Sequence, residues 1–302
     1  MKRTWLIVIL AFGFTFLLYS HCQASNTLIG ILEDDRLELV NWKKGPSENR
    51  VIRPLFQKKG SKWIISTNHP EEINWTIAFD GKKRGSVRSI PNPEKIPFNK
   101  DVHVPKPQSG QSLVLGKPSE DFSGWQSTLF NRPLVLVSNG SSNDSDGWKP
   151  LLPTADQTRL FKSKFRTEYP KVMNCKDNEE PLPNPWPYND ADIKLLKGYR
   201  SNKGELLINM YLDGGKCGIN SEPFTAQLFL FRPDMSSIHI VARSNKSHSV
   251  EDNLSLTLVD AGDYDDDGKS EVIFFVSGYN EDGYAIYYDS FRKNLSWTWG
   301  YH

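Results

Sequence analysis

Hydrophobic and polar residues alternate in short runs along much of the chain, and this period of two is typical of half-buried β-strands. Between residues 25 and 92 four such stretches are separated by turn residues: TLIGILEDD, LELVNW, VIRPLFQKKGSKWIIS and INWTIAFDGKKRGSVRSI. The Lys-Lys-Gly step at 58–60 and the Asp-Gly step at 80–81 are typical of hairpin tips. We therefore expect a small N-terminal β module over residues 25–105.

From residue 191 onward the strand pattern is almost continuous. Eight stretches follow one another with short turns between them: IKLLKGYR, ELLINMYL, TAQLFLFR, SIHIVARS, LSLTLVD, EVIFFVSGY, YAIYYDSF and LSWTWGYH. Strands joined by short turns pair antiparallel. The sequence thus predicts a mainly β fold whose residues 191–302 form an antiparallel meander, either as a propeller-like blade or as part of a sandwich.

The region between these parts, residues 106–190, is predicted to be a connection that contains one helix. Prolines and polar residues cluster between Pro91 and Pro107, as in linkers. Further on, Thr154 is followed three residues later by Gln157, the capping-box pattern, and two phenylalanines four residues apart come behind it. We expect a helix from about 155 to 168, ended by Pro170.

The composition is that of a globular protein and excludes some classes of partner. The chain of 302 residues is 38% hydrophobic and 24% charged, enough for one large β domain or two small ones. Its formal net charge is only +1. A charge this close to zero does not indicate binding to nucleic acid or to an anionic membrane surface.

The first 24 residues have the pattern of a signal peptide. Lys2 and Arg3 precede an apolar run over residues 5–18, and Cys22-Gln23-Ala24 follows with small residues at the positions that signal peptidase recognises. The run is shorter than the roughly 20 residues of a spanning helix, which disfavours an uncleaved anchor. Bulky residues before Cys22 disfavour a lipoprotein. We expect cleavage after Ala24, export to the periplasm or the extracellular space, and no membrane span afterwards.

Cleavage would leave two cysteines, Cys175 and Cys217. Disulfides persist in oxidising compartments, so the pair is predicted to form one; two unpaired buried thiols are the alternative. Neither cysteine belongs to a CxxC motif or lies near a histidine at ligand spacing, which disfavours zinc.

The stretch GDYDDDGKSE at 262–271 places acidic residues at alternating positions of one loop. A calcium ion takes six to eight oxygen ligands, and a loop with carboxylates at positions 1, 3, 5 and 9, a glycine at 6 and a carbonyl at 7 can surround it. Gly268 occupies position 6 and permits the bend. The predicted ligands are Asp263, Asp265, Asp267, the carbonyl of Lys269, and Glu271.

The flanks of this loop distinguish between kinds of calcium loop. An EF-hand has helices on both sides and a glutamate at position 12, but position 12 here is Phe274 and both flanks have strand patterns. A strand, DxDxDGxxE and a second strand resemble the FG-GAP or VCBS type of calcium loop, over about residues 254–302. The resemblance implies a structural Ca²⁺ within a four-stranded blade of a bacterial exported protein. An acidic surface turn without metal is the alternative.

Catalytic motifs are few. The chain has no HExxH, no GxSxG and no phosphate-binding glycine loop, and its six histidines are scattered. The last strands are rich in aromatic residues, which are expected either to pack across strands or to form a stacking surface for a glycan or protein partner. We therefore expect an exported protein with a structural calcium site and a non-catalytic binding or structural role. The alternative is a secreted hydrolase whose site is assembled from dispersed carboxylates.

Overall fold

The computed structural model describes residues 27–34, 50–67, 72–79, 82–91, 103–106, 133–138, 147–172, 188–216, 223–233, 237–246, 255–278 and 281–300. Within these ranges the chain is mainly β, with antiparallel sheets and a single helix, which confirms the predicted fold class. The predicted signal peptide, Cys175 and Cys217 lie outside the described residues.

Seven strands form the N-terminal sheet in the order β1-β7-β4-β5-β6-β2-β3. They are β1 (Leu28–Asp34), β2 (Arg50–Lys59), β3 (Lys62–Ile65), β4 (Ile73–Phe79), β5 (Lys82–Pro91), β6 (His103–Lys106) and β7 (Leu134–Ser138). Strand β1 also pairs with β2, so the sheet curls back on itself. Strand β7, from the predicted connecting region, lies between β1 and β4. All five of its residues are buried, as expected for a central strand.

The C-terminal strands form two meanders. Their order is β12-β11-β10-β9-β8 in the five-stranded sheet and β13-β14-β15-β16 in the four-stranded sheet. The strands are β8 (Lys149–Pro150), β9 (Lys194–Arg200), β10 (Leu206–Lys216), β11 (Pro223–Arg232), β12 (His239–Lys246), β13 (Ser255–Gly262), β14 (Glu271–Gly278), β15 (Glu281–Tyr288) and β16 (Lys293–Gly300). The predicted meander is therefore divided where β12 gives way to β13.

The four-stranded sheet lies between the other two sheets, and both of its faces are covered. Tyr284, Ile286 and Tyr288 on β15 pack into a core shared with the N-terminal sheet. Ala285 and Tyr287, the intervening residues, pack into a core shared with the five-stranded sheet. Successive side chains of a strand point to opposite faces, so one strand contributes aromatic residues to both cores.

Helix α1 spans Ala155–Glu168, as the sequence predicts. The Thr154 hydroxyl accepts a hydrogen bond from the backbone N–H of Gln157 (3.3 Å), and the Gln157 side chain accepts one from the N–H of Thr154 (2.9 Å). These bonds satisfy two N–H groups that the first turn leaves without helical partners. Phe161 and Phe165 pack against the outer face of the five-stranded sheet. Within the described part of the chain, no helix is both long and apolar enough to cross a membrane.

Candidate metal centre

The acidic loop connects β13 to β14 at one end of the four-stranded sheet. The two strands pair antiparallel, and Gly262 lies opposite Glu271 in their register. This pairing holds the two ends of the loop together, so the eight residues from Asp263 to Ser270 form one compact turn. The strand flanks that the sequence indicated are present on both sides.

Hydrogen bonds within the loop hold its carboxylates in place. The backbone N–H groups of Asp267 and Gly268 donate to the Asp263 carboxylate (3.0 and 2.8 Å), and the N–H of Tyr264 donates to Glu271 (3.0 Å). Asp266 and Gly268 have φ values of 56° and 82°, in the left-handed region. Glycine adopts this region readily and aspartate tolerates it better than most residues, so the sequence suits the turn.

Three of the predicted ligands come together. One carboxylate oxygen from each of Asp263, Asp265 and Asp267 lies within 4.8 Å of the others. Each Ca–O bond is about 2.3–2.6 Å, so two oxygens that share a calcium ion lie at most about 5 Å apart. Within the described ranges, these three form the one group of acidic, histidine or cysteine side chains with metal-binding spacing. The donor set is all oxygen, as a hard cation requires.

Glu271 and Lys269, the other two predicted ligands, have different environments. Glu271 is the first residue of β14 and is 1% exposed, with its carboxylate held by the Tyr264 N–H. The Lys269 side chain turns away from the aspartates and forms an ion pair with Asp289 (2.9 Å). Its backbone N–H donates to Asp267 (2.9 Å). The structure thus groups the three aspartates most closely, with Glu271 buried at the end of the loop.

Burial of like charges makes this loop electrostatically unfavourable by itself. Loss of water, together with the nearby charges of Asp265 and Asp267, raises the pKa of Asp263 to about 7. Loss of water and the charge of Asp265 raise the pKa of Glu271 well above its ordinary value. A positive charge among these groups would lower both pKa values, because it favours the ionised carboxylates.

A lysine from another sheet supplies one such charge. Lys58, on β2 of the N-terminal sheet, is 7% exposed and forms an ion pair with the Asp265 carboxylate. Its Nζ atom is also 3.7 Å from an Asp267 oxygen and 5.2 Å from the centre of the Trp63 ring. Burial lowers the pKa of Lys58, but the hydrogen bond and charge of Asp265 outweigh it and raise the pKa overall.

The five-stranded sheet reaches the same loop. The indole N–H of Trp148 donates to the Ser270 hydroxyl (3.0 Å) in a buried hydrogen bond, and the Lys203 ammonium donates to the Gly268 carbonyl. The acidic loop is therefore in contact with residues from all three sheets. Sequence reasoning found none of Lys58, Trp148 and Lys203, because they lie far from the loop in the chain and belong to no local motif.

The aromatic residues of the last two strands are mostly in the core. Tyr284 is fully buried and Tyr288 nearly so, which favours cross-strand packing for both. Trp297 and Trp299 are half-buried on β16 and pack against the edge of the core. The Arg53 guanidinium lies 5.4 Å from the ring centre of Trp299, within the range of a cation–π interaction.

Among the cavities on the described surface, two have volumes of about 260 and 340 Å³. The first lies between β2, β3 and β16 and is lined by Arg53, Pro54, Leu55, Ile65, Ser66, Thr67 and Trp297. The second lies beside α1 and is lined by Leu160, Ser163, Lys164, Thr167, Arg232, Ser237 and Ile238. Neither lining contains a carboxylate, so neither cavity has the pair of acids that glycoside hydrolysis uses.

No protein-family model, no curated protein and no solved structure matches this chain.

Proposed function

We propose that the protein is an exported β protein in which one calcium ion, bound by the β13–β14 loop at the contact of three stacked sheets, stabilises the folded state. Its role is non-catalytic, either structural or in binding a protein or glycan partner. Export follows from the signal-peptide pattern of residues 1–24, and the FG-GAP or VCBS resemblance supports the choice of calcium.

The observation that carries this proposal is the spacing of the aspartates. Asp263, Asp265 and Asp267 offer carboxylate oxygens within 4.8 Å of one another, at the end of a hairpin whose pairing fixes the loop. Glu271 and the carbonyl of Lys269 complete the proposed ligand set. Calcium accepts such a flexible arrangement of oxygens, whereas magnesium requires near-octahedral geometry and retains its water ligands.

The ion would act on stability rather than on a reaction. A cation that binds only the folded state stabilises it by mass action, by about 2.7 kcal/mol at one hundred times the dissociation constant. It would also offset the repulsion among buried carboxylates whose pKa values burial raises. The described linings of the two cavities named above contain no carboxylate, so these cavities add no support for the hydrolase alternative.

The test is calcium titration of the folded mature protein by calorimetry, paired with thermal unfolding in calcium, magnesium and chelator. We expect one calcium site per chain, a higher melting temperature in calcium, reversal by chelator, and a smaller effect of magnesium. The absence of calorimetric binding together with identical melting in calcium and chelator would overturn the proposal.

A further inference from the structure

The position of Lys58 relative to the loop carboxylates bears on how tightly the proposed site binds a cation. Asp265 and Asp267 each use one carboxylate oxygen, Oδ1, to accept a backbone N–H of the loop. The Lys58 ammonium approaches the other oxygen, Oδ2, of the same two residues. These Oδ2 atoms are the ones that the loop's own hydrogen bonds leave for a cation.

We infer that Lys58 is a built-in competitor for the cation site: its ammonium group occupies carboxylate oxygens that calcium needs, so calcium binding displaces it. The inference rests on the proposed function and adds what sets the affinity of that site. A calcium ion and an ammonium group on the same pair of carboxylates lie only a few ångströms apart. In a buried site, the repulsion between these two positive charges lowers the affinity for calcium by roughly several-fold to several-hundred-fold.

The surroundings of Lys58 allow such an exchange. Lys58 is next to the exposed turn of the β2–β3 hairpin, where residues 59–62 are all exposed. The long, flexible stem can therefore move the ammonium group to solvent while its methylene groups stay against protein. Displacement would end the ion pair with Asp265, which holds β2 to the loop, and would also end the interaction with the Trp63 ring on the paired strand β3. Cation occupancy and the contact between the two sheets are thereby coupled.

The test compares the calcium affinity of the wild type with that of Lys58→Met, which keeps the apolar stem and removes the charge. Lys62→Met is the matched control, because Lys62 lies on the same hairpin and is exposed. We expect Lys58→Met to bind calcium at least about tenfold more tightly, and Lys62→Met to bind within about twofold of the wild type. Lys58→Gln serves as a second variant if Lys58→Met does not fold.

Wild-type protein provides an independent measurement. Reductive methylation followed by mass spectrometry should modify Lys58 slowly in chelator and faster in saturating calcium, with Lys62 as the internal reference. Protection of Lys58 that is unchanged or stronger in calcium would mean that the ammonium stays on the loop beside the ion, which contradicts the exchange.

The outcomes separate this inference from the proposed function. Equal or weaker calcium binding by Lys58→Met than by the wild type overturns the competition and leaves the calcium site intact. If Lys58→Met binds calcium and the wild type does not, the competition is supported. The same result would mean that Lys58 keeps calcium out of the site in the native protein, which overturns the proposed function. If neither protein binds calcium, both proposals fail.

Discussion

The Lys58 ammonium and the Asp265 carboxylate form an ion pair that is buried between the N-terminal sheet and the four-stranded sheet. Removing one member of such a pair leaves the other charge without water or partner, at a cost of about 3–5 kcal/mol. The contact between the two sheets therefore depends on the charge state of the acidic loop.

Replacing Asp267 by asparagine should remove most of the calcium-dependent rise in melting temperature. Asp267 is one of the three clustered aspartates, yet its side chain is partly exposed, so the folded state should tolerate the change. Asp266→Asn is the matched control, because it removes one charge from the same loop at an exposed position where φ is 56° and asparagine is acceptable. Thermal unfolding with and without calcium measures the calcium-dependent rise in melting temperature of both variants. Equal loss in the two variants would mean that loop charge alone, and not ligation, governs the effect.

Without calcium, the free energy of unfolding should decrease as the pH rises from about 4 to about 7. The pKa of Asp263 is about 7 in the folded state, against an ordinary value of 3.8, so over this range the folded protein holds a proton that the unfolded chain has lost. Stability falls with pH wherever the folded state binds more protons. The raised pKa of Glu271 acts in the same direction.

Urea unfolding in chelator at several pH values measures this slope. The slope should be smaller in Asp263→Asn, which lacks the titrating group, and saturating calcium should reverse the trend because the ion favours ionised carboxylates. A free energy of unfolding that rises from pH 4 to pH 7 in chelator, equally in both proteins, would contradict the prediction.

Ser290→Gly should stabilise the protein by about 1 kcal/mol. The connection between β15 and β16 contains three consecutive non-glycine residues with φ of 55–61°: Asp289, Ser290 and Phe291. Each left-handed residue of this kind costs about 1–2 kcal/mol, and glycine removes most of that cost despite its greater entropy when unfolded. Ser296→Gly, in the exposed middle of β16, should instead destabilise by about 0.5–1 kcal/mol. Chemical denaturation measures the free energy of unfolding of both variants. A change of the same sign in Ser290→Gly and Ser296→Gly would contradict the prediction.

Tyr288→Ala should lower the free energy of unfolding by about 3–5 kcal/mol, as truncation of a large core aromatic does. Tyr288 is 7% exposed and belongs to the core between the N-terminal and four-stranded sheets. Ser296→Ala, at an exposed position on β16, is the control and should change the free energy of unfolding by less than about 0.5 kcal/mol. If Tyr288→Ala instead unfolds at the wild-type denaturant concentration, the residue is a surface platform rather than part of the core.

We expect removal of the predicted signal peptide, so that the mature chain begins near Ser25, and a Cys175–Cys217 disulfide; both predictions rest on the sequence alone. On a chain-entropy argument the bridge would contribute about 4 kcal/mol. Intact-mass measurement after alkylation should show the loss of residues 1–24 and no free thiol. Two alkylated cysteines would refute the disulfide, and an uncleaved N-terminus would refute the signal peptide.

Elements specified by short-range patterns were predictable from the sequence. The bounds of α1 follow from hydrogen bonds between Thr154 and Gln157, which are three residues apart, and from Pro170 just beyond the helix. The acidic loop follows in the same way, because alternation over five residues and one glycine suffice to bring Asp263, Asp265 and Asp267 together. Tyr284 and Tyr287 lie in different cores for a similarly local reason, because residues an odd number of positions apart on a strand face opposite sides of the sheet.

Only the tertiary structure decided what surrounds these elements. Strand β7 joins the N-terminal sheet, the four-stranded sheet lies between the other two, and Lys58 reaches Asp265 from a different sheet. None of these contacts has a local signature, because each depends on which apolar faces are stacked together and in what register. Lysine is mostly exposed in folded proteins, so its type alone did not distinguish Lys58 from Lys59 or Lys62. Burial against Trp63 and the loop carboxylates made that distinction, and burial is a property of the stacked sheets.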